Sequence, residues 1–235
     1  MTIIGQFFTA FAGFLGIKFM FNYIDTVREF EYCDIMICFG IVTLSFSLGE
    51  ALGGGMATFG SVLGNGEFDR ALVRPLNTVF QVLAPRVDFT RAGLLIQAVG
   101  VLLYAIPKSG ISWDLKKIVT IVLMIICGSV LFFALFVFKA TFSFFTVQNL
   151  DFMNLFTYGA KEYGKYPFNI YGKWIVGILT YIIPLALVQY YPLLYLVGKR
   201  DNDFYMFIPL LSLLFLIPCY LFFLFGIRRY KSIGS

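Results

Sequence analysis

Residues Ile118 to Phe138 read IVTIVLMIICGSVLFFALFVF, a run of 21 residues without a single charged side chain. About 20 apolar residues cross the hydrocarbon core of a bilayer as one helix. Lys116, Lys117 and Lys139 bound the run at its two ends. The run therefore predicts a transmembrane helix.

Five other apolar runs lie between charged clusters and approach the same length. Together with the first run they predict six transmembrane helices, at about 2–23, 35–52, 92–107, 118–138, 174–191 and 204–227. Alternation of apolar and polar residues at period two is absent from these runs, which disfavours transmembrane strands. No long polar linker, low-complexity tract or fixed-period repeat divides the chain. We therefore expect an all-α integral membrane protein whose residues 1–235 form one domain.

The composition excludes a soluble monomer and several kinds of enzyme. The 235 residues are 60% hydrophobic and 13% charged, whereas an ordinary globular domain is about half apolar and about a quarter charged. The chain contains no His, and its four Cys show no metal-ligand spacing, so we expect neither a metal site nor His-dependent catalysis. No Ser/Asp constellation lies inside the spans either, so an intramembrane enzyme is not expected.

Charged residues outside the spans are distributed unequally between the two sides of the predicted membrane. If the chain begins on the cytoplasmic side, eleven Lys and Arg fall on that side and six on the other. The eleven are Arg70, Arg74, Arg86, Arg91, Lys139, Lys161, Lys165, Lys173, Arg228, Arg229 and Lys231. The positive-inside rule therefore predicts that both termini are cytoplasmic. This topology accounts for the net charge of +5, so no nucleic-acid partner is expected.

The segment after the second span has the pattern of a short amphipathic helix. Apolar residues recur in it at helical spacing, at Phe68, Leu72, Leu76, Val79, Phe80 and Leu83. Glu67 and Asp69 fall in its first turn, where the helix dipole favours acidic side chains. Pro75 cannot continue a helix without loss of a hydrogen bond, so we expect a break near Arg74 and a second short helix from Pro75. The segment is either an interfacial helix that returns the chain to the bilayer or a docking element for a partner protein.

Small and charged residues at the end of the second span each allow two interpretations. Gly49/Gly53 and Gly60/Gly64 have the small-x-x-x-small spacing that lets helices approach closely in lipid, but glycine is equally typical of a tightly turning membrane exit. Glu50 either makes a hydrogen bond or ion pair between packed helices, or lines the substrate pathway or its gate.

The second predicted cytoplasmic segment covers residues 142–173. Its stretch GAKEYGKY, residues 159–166, matches G-x-x-x-x-G-K but has Tyr where the nucleotide-binding motif needs Ser or Thr, so no nucleotide site is expected. We expect a surface helix near 150–163, broken at 164–167, whose aromatic rings rest among lipid headgroups. Direct contact with a cytoplasmic partner is the alternative, with Tyr158, Lys161 and Tyr166 as the candidate residues.

Several stretches of the chain resemble a known family. The run GEFDR at Gly66–Arg70, continued by RPLN at Arg74–Asn77 and by the pair Phe80–Gln81, resembles the permeases of ABC-2 exporters, in a subfamily of small six-helix half-transporters. Three later stretches agree with this resemblance: Thr157–Gly159 with Tyr166–Trp174, Ile183–Lys199, and Arg229–Ser235. The resemblance covers nearly the whole chain in the right order.

The resemblance implies a type V ABC exporter-like fold in which the loop between the second and third spans carries a cytoplasmic coupling helix, at residues 65–84. The coupling residues that it implies are Glu67, Phe68, Asp69, Arg70, Leu72, Arg74, Pro75, Asn77 and Phe80. It further implies a cytoplasmic ABC ATPase subunit that binds ATP and Mg²⁺, and a second permease chain, identical or related. The location implied is a bacterial plasma membrane.

In this interpretation the chain is a non-catalytic permease that binds no cofactor of its own, contacts membrane lipid, and forms the substrate pathway as a dimer. The alternative is a protein of a different class, a membrane scaffold or assembly protein without transport, for which the same spans would serve as anchors.

Overall fold

The computed structural model describes residues 2–27, 29–76, 81, 92–146 and 151–230. The α-helices are α1 (Thr2–Phe21), α2 (Tyr32–Ala57), α3 (Phe59–Gly64), α4 (Glu67–Val73), α5 (Ala92–Lys108), α6 (Leu115–Phe142), α7 (Tyr158–Gly164), α8 (Lys173–Tyr181), α9 (Leu185–Val188), α10 (Tyr190–Leu196), α11 (Phe204–Leu211) and α12 (Leu216–Arg229). Short 3-10 helices cover Asp151–Leu155, Phe168–Tyr171 and Ser212–Phe215. No β-strand occurs in the described ranges, and the prediction of an all-α protein is confirmed.

Within the described ranges, three helical stretches are long and apolar enough to cross a membrane: Tyr32–Gly64, Leu115–Phe142 and Phe204–Arg229. They contain the predicted second, fourth and sixth spans. A fourth candidate is the bent pair Lys173–Tyr181 and Leu185–Leu196, which overlaps the predicted fifth span and extends beyond its end. The predicted first span contains the apolar stretch Phe11–Phe21 of α1, and the predicted third span coincides with the shorter apolar helix Ala92–Lys108. Membrane crossing by these two stays a prediction.

Helices α2 and α6 form the centre of the bundle, and glycines bring their backbones together. A Cβ atom at Gly49 would lie 2.7 Å from the carbonyl oxygen of Ser129, and one at Gly53 would lie 3.3 Å from Phe136. Because α2 continues to Ala57, these glycines lie inside a helix and not in a turning exit. The close-packing interpretation of Gly49/Gly53 is therefore confirmed. A Cβ at Gly64 would meet no described atom within 4 Å, so that glycine does not pack in this way.

Two apolar clusters stack along the bundle and show the direction of each helix. The Phe39 cluster contains Ile17, Phe30, Ile35, Phe39, Leu102, Ala105, Met124, Leu193 and Leu196. The Phe136 cluster contains Phe46, Met56, Phe59, Phe68, Leu131, Phe136, Leu185 and Phe223. Helices α2 and α6 run from the first cluster to the second, whereas the chain from α9 to α10 runs back.

At the end of the bundle that holds the Phe39 cluster, the ammonium of Lys116 donates a hydrogen bond to the carboxylate of Asp203 and lowers the pKa of that carboxyl group.

The predicted fifth span is broken where a proline interrupts it. Helix α8 ends at Tyr181, and the helical stretch from Leu185 leaves at 89° to it. Pro184 lies at the break and has no N–H to continue the hydrogen-bond ladder. The amide of Leu185 bonds to the carbonyl of Ile183 instead, at 2.6 Å. The bend at Pro184 therefore separates two helices.

Candidate functional site

The predicted coupling segment forms helix α4 at the Phe136 end of the bundle. Gly66 precedes it with a φ of 69°, a conformation that glycine adopts without strain. The helix ends at Val73, and Arg74 is extended, with φ −80° and ψ 139°. A residue before proline is disfavoured in the helical region, so Pro75 accounts for this end. The predicted break near Arg74 is confirmed.

The second helix of this segment was predicted to start at Pro75. Pro75 and Leu76 are not helical, so a helix does not begin at the proline itself. The predicted coupling residues Asn77 and Phe80 lie outside the described residues. Gln81 is described, and its side-chain amide donates to the carbonyl oxygens of Ala71 (3.0 Å) and Leu76 (2.9 Å). These two bonds tie the chain beyond the break back to the end of α4.

Phe68 holds α4 against the bundle. Its side chain is fully buried, and its ring lies 5.2 Å from that of Phe59, 5.4 Å from Phe144 and 5.0 Å from Tyr230. Aromatic pairs at such distances stabilise beyond the area they bury. The ring of Phe68 therefore already fills a cleft in its own chain, and the coupling role implied for this residue stays a prediction.

The outer face of α4 combines exposed apolar and charged side chains. Leu72 is 42% exposed, Val73 86% and Leu76 60%. The predicted coupling residues Glu67, Arg70, Arg74 and Pro75 are exposed beside them, and Asp69 is half-buried. An apolar patch rimmed by charges is typical of a protein interaction site. This face, which we call the α4 face, consists of Leu72, Val73, Leu76, Arg70 and Arg74.

The structure brings together two candidate residues that are 108 positions apart. Glu50 is buried in α2, and the hydroxyl of Tyr158, at the start of α7, donates a 2.7 Å hydrogen bond to its Oε1 atom. Lys139 of α6 lies nearby, with its ammonium 2.7 Å from the side-chain oxygen of Asn154 and 5.7 Å from the Tyr158 ring. Glu50 thus joins α2 to the second predicted segment. This contact corresponds to the first interpretation of Glu50, a hydrogen bond between packed helices.

Two lysines of the second segment point into the bundle and lie over aromatic rings of α2. The ammonium of Lys161 is 5.0 Å from the centre of the Phe46 ring, and that of Lys165 is 5.4 Å from Phe39. Glu162 bridges the two lysines, at 3.2 Å and 2.6 Å. The lysine side chains are only 17% and 12% exposed. Cations over ring faces in such a desolvated position are attracted more strongly than on an open surface.

The far end of α7 reaches the Phe39 cluster. The thiol of Cys38 donates to the carbonyl of Gly164 at 3.3 Å, and the side-chain amide of Gln189 donates to the carbonyl of Tyr166 at 3.1 Å and also bonds to the Cys38 sulfur. Cys38 and Glu50 are twelve residues apart on α2, about 18 Å of helix. Residues 158–166 therefore follow α2 over about half of its 26 residues.

These contacts correct the prediction that the second segment rests on the membrane surface. The predicted end near Gly164 is confirmed, since α7 stops there. However, Ala160 and Phe168 are fully buried, and Tyr158 and Tyr166 bond within the chain. The Tyr158 hydroxyl, the Lys161 ammonium and the backbone carbonyl of Tyr166 each contact the bundle, and a contact of these three residues with a partner stays a prediction. The surface between α2 and α7, lined by Glu50, Lys139, Tyr158, Lys161 and Lys165, is called the polar seam below.

Sequence reasoning did not identify Cys38, Gln189 or Lys165 as parts of this site. Gln189 is an isolated amide in a long apolar run, and such residues in membrane segments are usually bonded across helices. The isolated position of Gln189 could therefore have identified it from the sequence.

The stretch 159–166 shows no phosphate-binding loop, because residues up to Gly164 are helical and Lys165 pairs with Glu162. Among the described residues, no group of three His, Cys, Asp or Glu could hold a metal ion.

The comparison with known proteins identifies a family for this chain. A family model described as "ABC-2 family transporter protein" matches residues 7–234. No curated protein and no solved structure matches the chain. Because the family match covers almost the whole sequence, this chain belongs to the ABC-2 transporter family and is a membrane protein of the permease type.

Proposed function

We propose that this chain is the permease subunit of an ATP-driven ABC-2 exporter and that a separate ATPase subunit binds its α4 face. The observation that carries the proposal is the combination of a buried anchor with an exposed interaction surface on one short helix. Phe68 fixes α4 to the bundle, while Leu72 and Val73 point away from it. A helix held in this way can receive a force from a partner and pass it on.

The anchor of α4 indicates where such a force would go. Phe144 follows the end of α6 by two residues, and Tyr230 follows the end of α12 directly. Both rings contact Phe68 and each other, the latter pair at 5.9 Å. Displacement of α4 would therefore act on the ends of two membrane helices at once. We propose this aromatic cluster as the mechanical link between ATP hydrolysis and the bundle.

The remaining parts of the proposal follow from the family and from the charge pattern. The chain would cross a bacterial plasma membrane six times, with both termini and α4 on the cytoplasmic side. Two permease chains, identical or related, would form the substrate pathway between them in contact with lipid. ATP and Mg²⁺ would bind to the ATPase subunit, and this chain would carry no cofactor and no catalytic residue.

A charge introduced into the apolar part of the α4 face tests its role in ATPase binding. In the complex purified from native membrane in mild detergent, Leu72→Glu should weaken ATPase binding about 10- to 100-fold, since truncating or charging a central interface residue costs roughly 1.4 to 3 kcal/mol. The matched control is Leu115→Glu, an exposed leucine at the opposite end of the bundle. Binding affinity is measured by titration of the ATPase against immobilised permease.

Equal ATPase affinity in the two variants would remove the docking role from α4. Absence of any ATPase from the wild-type preparation would favour the alternative function, a membrane scaffold or assembly protein.

A further inference from the structure

A cavity of about 550 Å³ lies beside the break in the fifth span. Ile183 at the break, Leu135 and Phe138 of α6, and Cys219 and Phe222 of α12 are among the residues that line it. Because the chain turns through 89° at this point, no straight helix fills the space beside α6 and α12. The volume is within the range of about 300 to 1,000 Å³ that is usual for ligand pockets.

The lining of the cavity selects against water and against polar ligands. None of its lining side chains carries a charge, a nitrogen or an oxygen atom. A water molecule would find no side-chain hydrogen-bond partners there, and apolar cavities of this kind bind apolar molecules instead. Two residues of the lining, Phe152 and Ile182, are 61% and 64% exposed. The cavity therefore opens onto an apolar outer surface of the bundle, which in a membrane protein faces hydrocarbon.

An aromatic strip leads from the mouth of the cavity to a cation at the end of α12. The ring of Phe145 stacks on Phe222 at 5.9 Å and on Phe225 at 6.1 Å. The guanidinium of Arg229 lies 5.3 Å from the centre of the Phe225 ring. Cys219 and Arg229 are ten residues apart, about 15 Å of helix. This length equals half of the roughly 30 Å hydrocarbon core, which is the depth of one leaflet.

We infer that the cavity holds one acyl chain of an anionic phospholipid whose phosphate group binds Arg229. A guanidinium at the membrane surface is well suited to phosphate, which it can bind with two parallel hydrogen bonds. The cavity accepts the apolar end of the same molecule one leaflet depth away. The site shares no residue with the polar seam or with the α4 face, and the inference rests on the membrane location of the chain and not on the ATPase.

Photo-crosslinking in nanodiscs tests this inference. The probe is phosphatidylglycerol with a diazirine on one acyl chain, present as a minor component of phosphatidylcholine, and the labelled peptides are identified by mass spectrometry. We expect labelling of α12 around Cys219 and Phe222. Cys219→Trp should fill the cavity and reduce this labelling at least tenfold, and Arg229→Gln should reduce it several-fold. Leu221→Trp is the matched control, because Leu221 is an exposed residue of the same helix, and should leave labelling unchanged.

Competition in the wild-type protein provides a test that does not depend on the folding of a variant. Excess unlabelled phosphatidylglycerol should suppress labelling of α12, whereas glycerol phosphate, which has the headgroup without an acyl chain, should not. Equal labelling of the Cys219→Trp and wild-type proteins, or labelling spread evenly over the outer surface of α12, would overturn the inference. A crosslink from the cavity residues to a second polypeptide would overturn it as well, by assigning the cavity to a neighbouring chain.

Discussion

Helices α4 and α7 are each seven residues long, and each lies in a segment that connects predicted membrane spans. They differ in what they bury. Helix α4 buries one ring, that of Phe68, and exposes most of its other side chains. Helix α7 is held by several interactions along α2, which include the Tyr158–Glu50 hydrogen bond and the lysines over Phe39 and Phe46.

The difference indicates two mechanical roles. A helix anchored by a buried ring keeps an exposed face for a partner and can transmit motion through that anchor. A helix with many dispersed polar contacts inside an apolar bundle covers a polar seam that would otherwise face hydrocarbon, where unpaired polar groups are costly. We therefore expect α4 to bind a partner and α7 to cover the polar seam. Separate variants test the two roles.

A covalent lock between α7 and α2 should have the largest effect. A Cβ atom at Gly164 would lie 3.1 Å from Cγ1 of Val42, so the pair Val42→Cys and Gly164→Cys is close enough for a disulfide. If α7 must leave α2 to open the pathway, oxidation should reduce export by the reconstituted transporter to background, and a reducing agent should restore it. Each single variant serves as a control for the substitution itself. Unchanged export with the disulfide formed would make α7 a static part of the bundle.

The second largest effect is expected at the anchor of α4. Phe68→Ala removes a buried ring from an aromatic cluster, so it should lower the free energy of unfolding by roughly 3 kcal/mol. Leu72→Ala, on the exposed face of the same helix, should change it by no more than about 0.5 kcal/mol. Denaturant unfolding of both purified variants without the ATPase provides the measurement. Equal losses would mean that the burial of Phe68 does not anchor the helix.

A smaller effect is expected at the hydrogen bond that joins α7 to α2. Tyr158→Phe removes the donor to the buried carboxyl of Glu50, which should cost about 1 to 2 kcal/mol of stability. Tyr181→Phe is the matched control, because Tyr181 is 88% exposed. The melting temperatures of the two variants should differ, with Tyr158→Phe the lower. Identical melting temperatures would show that the Glu50–Tyr158 bond adds nothing to the stability of the bundle.

The parts of α2 and α4 that could be predicted from the sequence depend on local rules. Pro75 dictates the end of the helix near Arg74, and the spacing of Gly49 and Gly53 indicates close packing, because both effects act within a few residues. The amphipathic pattern also predicts that Phe68 lies on the apolar face of its helix. It could not show whether its own bundle or a partner covers Phe68, since both offer an apolar cleft.

The position of α7 could not be predicted for a different reason. Its contacts with Cys38 and Gln189 join parts of the chain that are far apart, since Cys38 bonds to Gly164 across 126 residues and to Gln189 across 151. Aromatic and cationic side chains such as Tyr158 and Lys161 are typical of a membrane surface, but they are equally able to line a polar seam inside a bundle. The composition of the segment is the same in both cases, and only the fold distinguishes them.

The smallest effect on stability, with a separate effect on function, is expected at Pro75. Glycine at this position loosens the backbone and allows Arg74 to become helical, so the angle between α4 and the chain that Gln81 ties to it is no longer fixed. The stability change should stay within about 1 kcal/mol, and the ATPase should still bind, because the α4 face is intact. Export and substrate-stimulated ATP hydrolysis should nevertheless fall together, since the force from the ATPase passes through a joint that now yields. Pro107→Gly, at the opposite end of the bundle, should leave both rates unchanged. Normal export by the Pro75→Gly complex would show that the joint at Pro75 transmits no motion, and the aromatic cluster around Phe68 would then be the mechanical link that remains.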